Sequence, residues 1–247
     1  MSLRTDIATP DGKRRYVRRL FATIADRYDF ITGFLSYGQD RRWKRRLIAL
    51  ARLQPSDHLL DLACGTGDLL FESAPFVRSG VGLDVTHRMV QLARRRAPRD
   101  GGRLSLLTGD MIALPFAGGS FDVVTTGYGL RNVPDLDEAL REIRRVLRPG
   151  GRLLSLDFNR PGNPLLRGAY LAYLTAVGSA LGLALHRDPD TYRYIPESIR
   201  HYPGAAGVAR MMEAHGFADV RVLPVLGGLM AIHLASVPVP SPVARPA

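Results

Sequence analysis

Two spacings of apolar residues divide the chain. Tyr16, Val17, Leu20, Phe21 and Ile24 recur at helical spacing, with arginines 14, 15, 18 and 19 between them. That pattern predicts an amphipathic helix with a basic flank. A second helix is predicted over about 39–52, with Trp43, Leu47 and Leu50 on one side. From His58 the pattern changes to short apolar runs bounded by turn residues, at about 58–63, 80–84, 103–108, 120–126 and 151–157. These read as strands. Helical stretches separate them, among them 68–76, a helix carrying Met89, Val90 and Leu92, and 135–147 with Leu136, Leu140, Ile143 and Leu147 on one stripe. Arg148-Pro-Gly-Gly151 is expected to stop that last helix. Residues 161–202 read as mostly helical and 208–214 as a further helix. Two closing strands follow, at about 216–223 and 228–234.

Strands alternating with helices predict an α/β fold with a doubly wound, mostly parallel sheet. The closing pair, joined by a short loop, adds an antiparallel edge hairpin. One domain over 16–236 is the simplest organisation, with 16–52 as an N-terminal helical cover and 160–205 as a helical insertion for a substrate. Residues 1–15 are expected to be mobile and the proline-rich 237–247 frayed.

The chain has 247 residues, 46% hydrophobic and 23% charged, an ordinary globular composition. One cysteine, Cys64, excludes a disulfide framework and a multi-cysteine metal site. The six histidines show no metal-ligand spacing, so no metal is expected. The first residues lack the apolar core of a signal peptide, and no apolar run is long enough to suggest a membrane span. A cytoplasmic protein is expected. Net charge is +11, and only Lys13 and Lys44 are lysines. Residues 1–52 hold 13 basic and 5 acidic side chains. A block this basic suggests an anionic partner, nucleic acid or acidic lipid, or else solvated helix faces.

The chemistry concentrates at Leu59-Leu-Asp61-Leu-Ala-Cys-Gly65-Thr66-Gly67-Asp68. A strand delivers an acidic residue, then a glycine turn opens a helix. Such a turn lets a ligand approach the backbone closely. Asp84, with Val85 after it, ends the next strand, where a carboxylate accepts from ribose hydroxyls. The third glycine of the dinucleotide fingerprint is absent, and no Lys-Ser/Thr follows the turn. Asp68 sits where a pyrophosphate would want a helix start free of negative charge. Carboxylates here suit a ligand with a cationic end, and S-adenosylmethionine carries both a sulfonium and an ammonium. Asp110 is placed to accept from an adenine amino group with Met111 on the ring, or else to cap the next turn. The fourth strand leads into Gly127-Tyr-Gly-Leu-Arg131-Asn132-Val133 at the sheet's carboxyl end.

These residues resemble the ubiquinone/menaquinone biosynthesis C-methyltransferases (the UbiE/MenG type), a family of class I methyltransferases with a Rossmann-like sheet. The resemblance runs from about Phe21 to Leu234. It rests on Ile24-Ala-Asp-Arg-Tyr28-Asp29, Ser36-Tyr-Gly-Gln-Asp-Arg-Arg-Trp43-Lys44, Gly129-Leu-Arg-Asn132-Val, Tyr194 with Glu197-Ser-Ile199, and Gly227-Gly228. Two stretches depart from the usual form, Asp157-Phe-Asn-Arg-Pro161 and His201-Tyr-Pro-Gly, and leave the ring and tail of the quinone open. The resemblance implies transfer of a methyl group to a ring carbon of a prenylated hydroquinone, demethylmenaquinol foremost, with a methoxy-benzoquinol or a phytyl-naphthoquinol as alternatives. It implies cofactor contacts at Thr66, Asp84, Asp110, Met111 and Gly127, residues near the reacting ring at Asp68, Arg131 and Asn132, and a substrate-side Tyr28.

A phenolic hydroxyl titrates near 10, so the site must favour its anion. Arg131 is the expected cation, unless it pairs with Asp135 or Glu138. Asn132 would orient a water or the hydroxyl, or cap its turn. Tyr28 and Phe34 are candidate lid residues or core packing, and Tyr194 and His201 are candidate substrate contacts, His201 also as a base. The apolar stretch 165–185 and the basic helix 16–24 would line a tail channel and lie on an anionic membrane face, or cover the sheet, or form a homodimer surface. A nucleic-acid methyltransferase is the distant alternative. No base-flipping Pro-Pro motif follows the fourth strand, so nucleic acid is not expected as a partner.

Overall fold

The computed structural model describes residues 7–36, 38–99 and 101–240. Helix α1 (Pro10–Ile24) starts earlier than the expected Tyr16, because Thr9 caps it. The Thr9 Oγ1 accepts from the Gly12 N–H at 3.1 Å and proline occupies the first turn. Residues 10–15, expected to be mobile, are therefore helix; residues 1–6 lie outside the described part. A short 3₁₀ turn leads to α2 (Tyr28–Leu35), then to α3 (Asp40–Ala51).

The sheet is built from β1 (His58–Leu62), β2 (Ser79–Asp84), β3 (Leu104–Thr108), β4 (Phe121–Gly127), β5 (Leu147–Phe158), β6 (Ala218–Val225) and β7 (Met230–Ser236). Its order is β3-β2-β1-β4-β5-β7-β6. The first five strands are parallel, β7 runs antiparallel to both β5 and β6, and the closing hairpin is where the hydrophobic pattern put it. Helices α4 (Asp68–Ser73), α5 (His87–Arg96) and α6 (Leu136–Val146) follow β1, β2 and β4. Helix α6 shows the logic in its sequence. Ala139, Leu140, Ile143 and Val146 are all buried, and Asp135 caps the start by accepting from the Glu138 N–H. Arg148-Pro-Gly-Gly151 does end α6, but it forms the first part of β5 rather than a separate turn. Arg148 there pairs with Asp122 at 2.8 Å.

The helical insertion holds α7 (Pro164–His186) and α8 (Tyr194–His201), followed by α9 (Gly204–Ala214). Helix α7 meets the length and composition of a membrane span, with a mean hydropathy of 1.5, where no such helix was expected. Only 28% of that apolar stretch is buried. Val237, expected in the frayed tail, is buried and exchanges backbone hydrogen bonds with Gly150 and Gly151. Residues 241–247 lie outside the described part.

Strand order reverses between β1 and β4, since β2 and β3 lie on one side of β1 and the later strands on the other. The crevice beyond the carboxyl ends of these two strands is where open α/β sheets bind ligands. It lies here between Ala63, which follows β1, and Gly127-Tyr128.

Candidate active site

The backbone at the crevice is unusual before any side chain is considered. After β1, Ala63 has φ 51°, Gly65 54° and Gly67 94°. At the end of β4, Tyr128 has φ 61°, which turns its ring into the crevice. Non-glycine residues in this conformation cost roughly 1–3 kcal/mol each and gather at functional sites. Gly129 follows because nothing larger fits: a Cβ there would fall 2.3 Å from Thr126 Oγ1 and 2.9 Å from Ala63 Cβ.

Three cavities meet at this point. The first, about 670 Å³, is lined by Gly65, Asp84, Val85, Asp110, Met111 and Gly127, all expected cofactor contacts. Helix α1 roofs it with Arg14, Val17 and Phe21. A smaller cavity of about 300 Å³ is lined by Asp61, Thr66 and Asp68 together with Lys44. The third, about 660 Å³, is mostly apolar, with Leu20, Ile24, Ile31, Trp43 and Met230 among its walls. Its polar lining includes Arg131, Asn132, Ser36 and Tyr194. Tyr28 and Tyr128 line all three cavities, and Asn132 and Phe21 join the first to the third.

Asp84 holds the glycine turn in place. Its Oδ2 accepts from the Gly65 N–H at 2.9 Å and its Oδ1 from the Thr86 N–H at 2.8 Å. Each oxygen keeps acceptor capacity, and burial raises its pKa above the usual carboxylate range. Asp61 is also fully buried. Its Oδ1 accepts from Thr125 Oγ1 at 2.8 Å, while its Oδ2 has no partner. Burial, only partly offset by Thr125 and Lys44, pushes it up to about 7. Asp110 faces Arg14 Nε at 3.1 Å across the first cavity. Gly67 lines none of the three cavities; its positive φ shapes the turn, and its N–H donates to Cys64 O.

The residues expected near the reacting ring separate. Arg131 lines the apolar cavity but is buried and committed. Its Nε lies 3.3 Å from Asp157 Oδ1, its backbone N–H donates to Asp157 Oδ2, and its Nη1 donates to Ser198 Oγ. Neither Asp135 nor Glu138 is its partner. The cation also lies over Phe158, 5.0 Å from the ring centroid. Asn132 donates through Nδ2 to Tyr128 O at 2.7 Å, and its buried Oδ1 has no partner. Asp68 does not reach the apolar cavity. It is held by Lys44 at 3.0 Å and Arg96 at 2.8 Å. Burial opposes its charge, but these two cations outweigh it and lower its pKa.

Two of the substrate candidates, Phe34 and His201, lie away from the cavities. Phe34 lines none of the three cavities and is 52% exposed, because α2 turns it outward beside the exposed Phe30. His201 also lies away from the crevice; its Nδ1 bonds Glu197 O within α8. Tyr194 is in place, buried on the apolar cavity with its hydroxyl unpartnered. Sequence reasoning gave no separate role to Tyr128, Asp40 and Lys44. Tyr128 Oη donates to Asp40 Oδ1 at 2.7 Å, and Asp40 Oδ2 lies 2.6 Å from Lys44 Nζ. The signal for them was a charged pair four residues apart on a helix beside Trp43, inside one of the motifs quoted above.

The donor set fits S-adenosylmethionine. The orphaned carboxylate oxygen of Asp61 and the acidic small cavity suit its cationic amino-acid end. Asp84 and Met111 suit its nucleoside. Switch-point sheet, glycine turn and acidic strand ends together define a class I S-adenosylmethionine-dependent methyltransferase. A solved S-adenosylmethionine-dependent methyltransferase of Thermotoga maritima superposes with a TM-score of 0.63 at 18% identity, over 89% of this chain and 99% of that one. The ubiE/COQ5 methyltransferase family matches residues 9–237, and the chain belongs to that family. The demethylmenaquinone methyltransferase of Roseiflexus castenholzii is 40% identical over 227 residues, 91% of this chain and 94% of that protein. The ubiquinone/menaquinone biosynthesis C-methyltransferase UbiE of Ectopseudomonas mendocina is 39% identical over 226 residues, 90% of this chain and 88% of that protein.

Proposed function

We propose that this protein methylates a ring carbon of a prenylated hydroquinol using S-adenosylmethionine, with demethylmenaquinol as the acceptor. The carrying observation is the junction at Tyr28 and Tyr128, where a cavity edged by the Asp84 and Asp110 carboxylates and a small polar one around Asp61 and Asp68 meet a chamber walled by Leu20, Ile24, Ile31, Trp43 and Met230. An acceptor with a polar ring and a hydrocarbon tail matches that division.

S-adenosylmethionine supplies an electrophilic methyl group on a sulfonium. Everything else is asked of the chain. Asp61, Asp84 and the Gly65 turn hold the cofactor's charged and nucleoside ends. The ring carbon is a poor nucleophile until a ring hydroxyl ionises. Arg131 still has N–H groups beyond those given to Asp157 and Ser198, and it stabilises the phenolate that forms. Helix α1, roofing the first cavity, and α2, along the apolar one, exclude water and hold the ring against the cofactor crevice.

Exposed apolar side chains offer the tail a lipid surface. Leu165 and Leu183 on α7 are 84% and 60% exposed, and Phe30 and Phe34 on α2 are 61% and 52% exposed. Arg15 and Arg18 on α1 are exposed as well. Exposed apolar side chains together with exposed arginines fit the headgroup region of an anionic bilayer. Cosedimentation with phosphatidylglycerol vesicles but not phosphatidylcholine vesicles, weakened by salt, supports this reading. Binding to neither, with a dimer in sedimentation, assigns the face to a second copy.

The function is tested with labelled S-adenosylmethionine and two short-tailed acceptors under reducing conditions. Label in a demethylnaphthoquinol alone supports the reading. Label in a methoxy-benzoquinol alone moves the assignment to the ubiquinone-type ring, and label in neither refutes quinol methylation.

A further inference from the structure

S-adenosylmethionine ends in a zwitterion, with an ammonium and a carboxylate on the same carbon. The unpartnered Asp61 Oδ2 answers the ammonium. The carboxylate needs a donor of its own, because an anion taken out of water without one is costly. The small cavity of about 300 Å³ beside the glycine turn holds such a donor. Among the described residues on its lining, the basic side chain is Lys44.

Lys44 stands on α3, one turn after Asp40, and is 6% exposed. Its ammonium has three N–H donors. One is given to Asp40 Oδ2 at 2.6 Å and one to Asp68 Oδ2 at 3.0 Å. The third is left for a ligand. Both anchors are themselves held, so the ammonium does not swing away. Tyr128 Oη donates to Asp40 Oδ1 at 2.7 Å, and Arg96 lies 2.8 Å from Asp68 Oδ1. Arg96 also gives Asp68 a second cation, so the lysine's charge is not exhausted there. The Nζ sits 5.9 Å from the ring centroid of Tyr128, a residue on the wall of the same cavity. Burial opposes its charge, but Asp40 foremost, then Tyr28 and Asp68, outweigh it and raise its pKa above the ordinary lysine value.

We propose that Lys44 is a cofactor-binding residue, its Nζ donating to the carboxylate of S-adenosylmethionine while Asp61 accepts from the ammonium. The small cavity is then a receptor for a whole amino-acid end, not for a cation alone. Asp61 belongs to β1 and Lys44 to α3. The bound amino-acid end therefore bridges the sheet and the N-terminal cover. Asp40 is a positioning residue, since it fixes the Nζ.

The test is calorimetric titration of the ligand-free protein with S-adenosylmethionine, its decarboxylated form and 5′-methylthioadenosine. The first two differ in the carboxylate alone, and the third lacks the amino-acid end. The parent is expected to bind S-adenosylmethionine roughly ten- to a hundredfold more tightly than the decarboxylated form, the range of one charge-assisted hydrogen bond. Lys44→Met is expected to bind these two about equally, with 5′-methylthioadenosine within about threefold of the parent. Lys44→Arg, which keeps the cation, is expected to restore part of the preference. Where Lys44→Met alone does not fold, adding Asp40→Asn removes the carboxylate it strands, and the same comparison is made. A parent that binds both forms equally overturns the proposal whether or not a variant folds. A preference retained in a folded Lys44→Met, alone or with Asp40→Asn, also overturns it. No acceptor is present in these titrations, so their outcome is independent of which ring is methylated.

Discussion

Asp61→Asn separates the cost of a buried charge from its use. In the ligand-free protein Asp61 is buried, one oxygen is unpartnered, and its pKa is pushed up to about 7 from 3.8. At 1.36 kcal/mol per unit, that gap of about three units is a destabilisation on the order of 4 kcal/mol once the group is ionised. Because the folded pKa is the raised one, the protein is most stable relative to the variant below about pH 4. That advantage is lost as pH rises towards 7. Asparagine has no charge to bury, but its amide takes the place of the unpartnered oxygen and costs about 1–3 kcal/mol. The net expectation above pH 7 is a variant more stable than the parent by about 1–3 kcal/mol, several degrees in melting temperature. Below pH 4 the order reverses. Cofactor affinity should move the other way, falling at least tenfold at pH 8 and less at pH 6, where the parent carboxyl is itself partly protonated. Thermal melts of both proteins from pH 4 to 9, with calorimetric titration of S-adenosylmethionine at two pH values, read both effects. A stability difference that does not change with pH would refute the reasoning.

Four further outcomes follow from the same geometry. Arg131→Ala leaves Asp157 buried without its cation, so it should lose about 3–5 kcal/mol of stability as well as turnover. Arg131→Lys should recover more of the stability than of the turnover, which denaturant melts and single-turnover methyl transfer distinguish. Gly129→Ala forces a methyl against Thr126 and Ala63 and should cost about 1–3 kcal/mol by chemical denaturation. Arg14→Ala frees Asp110 from a half-exposed ion pair. Its melting temperature should stay within a few degrees while cofactor affinity rises, by no more than about fivefold; a fall in affinity would assign Arg14 to holding the ligand.

The apolar runs, their order and the glycine turn were enough to place β1 to β5, the closing hairpin and the end of the sheet where a ligand binds. Backbone propensity and burial patterns are local, so they survive in the sequence. Asp84, Met111 and Gly127 line the first cavity at or just after strand ends, where such positions can be read from the sequence; Tyr28, expected from the resemblance, lines it from the start of α2. Side-chain partners across long sequence distances were not legible. Arg131 was expected to face the ring, with a pairing to Asp135 or Glu138 as the alternative; it lines the apolar cavity but pairs with Asp157 on β5 and Ser198 on α8. Its helical neighbours are close in sequence, but the buried cation is satisfied where the fold provides a carboxylate away from water. Phe34 and His201 fell away because periodicity does not say which face of a short helix meets the core. Tyr128, Asp40 and Lys44 show the complementary case. Their roles depend on one hydroxyl proton and one buried ion pair, and only the packing of α3 against the end of β4 decides where that proton points.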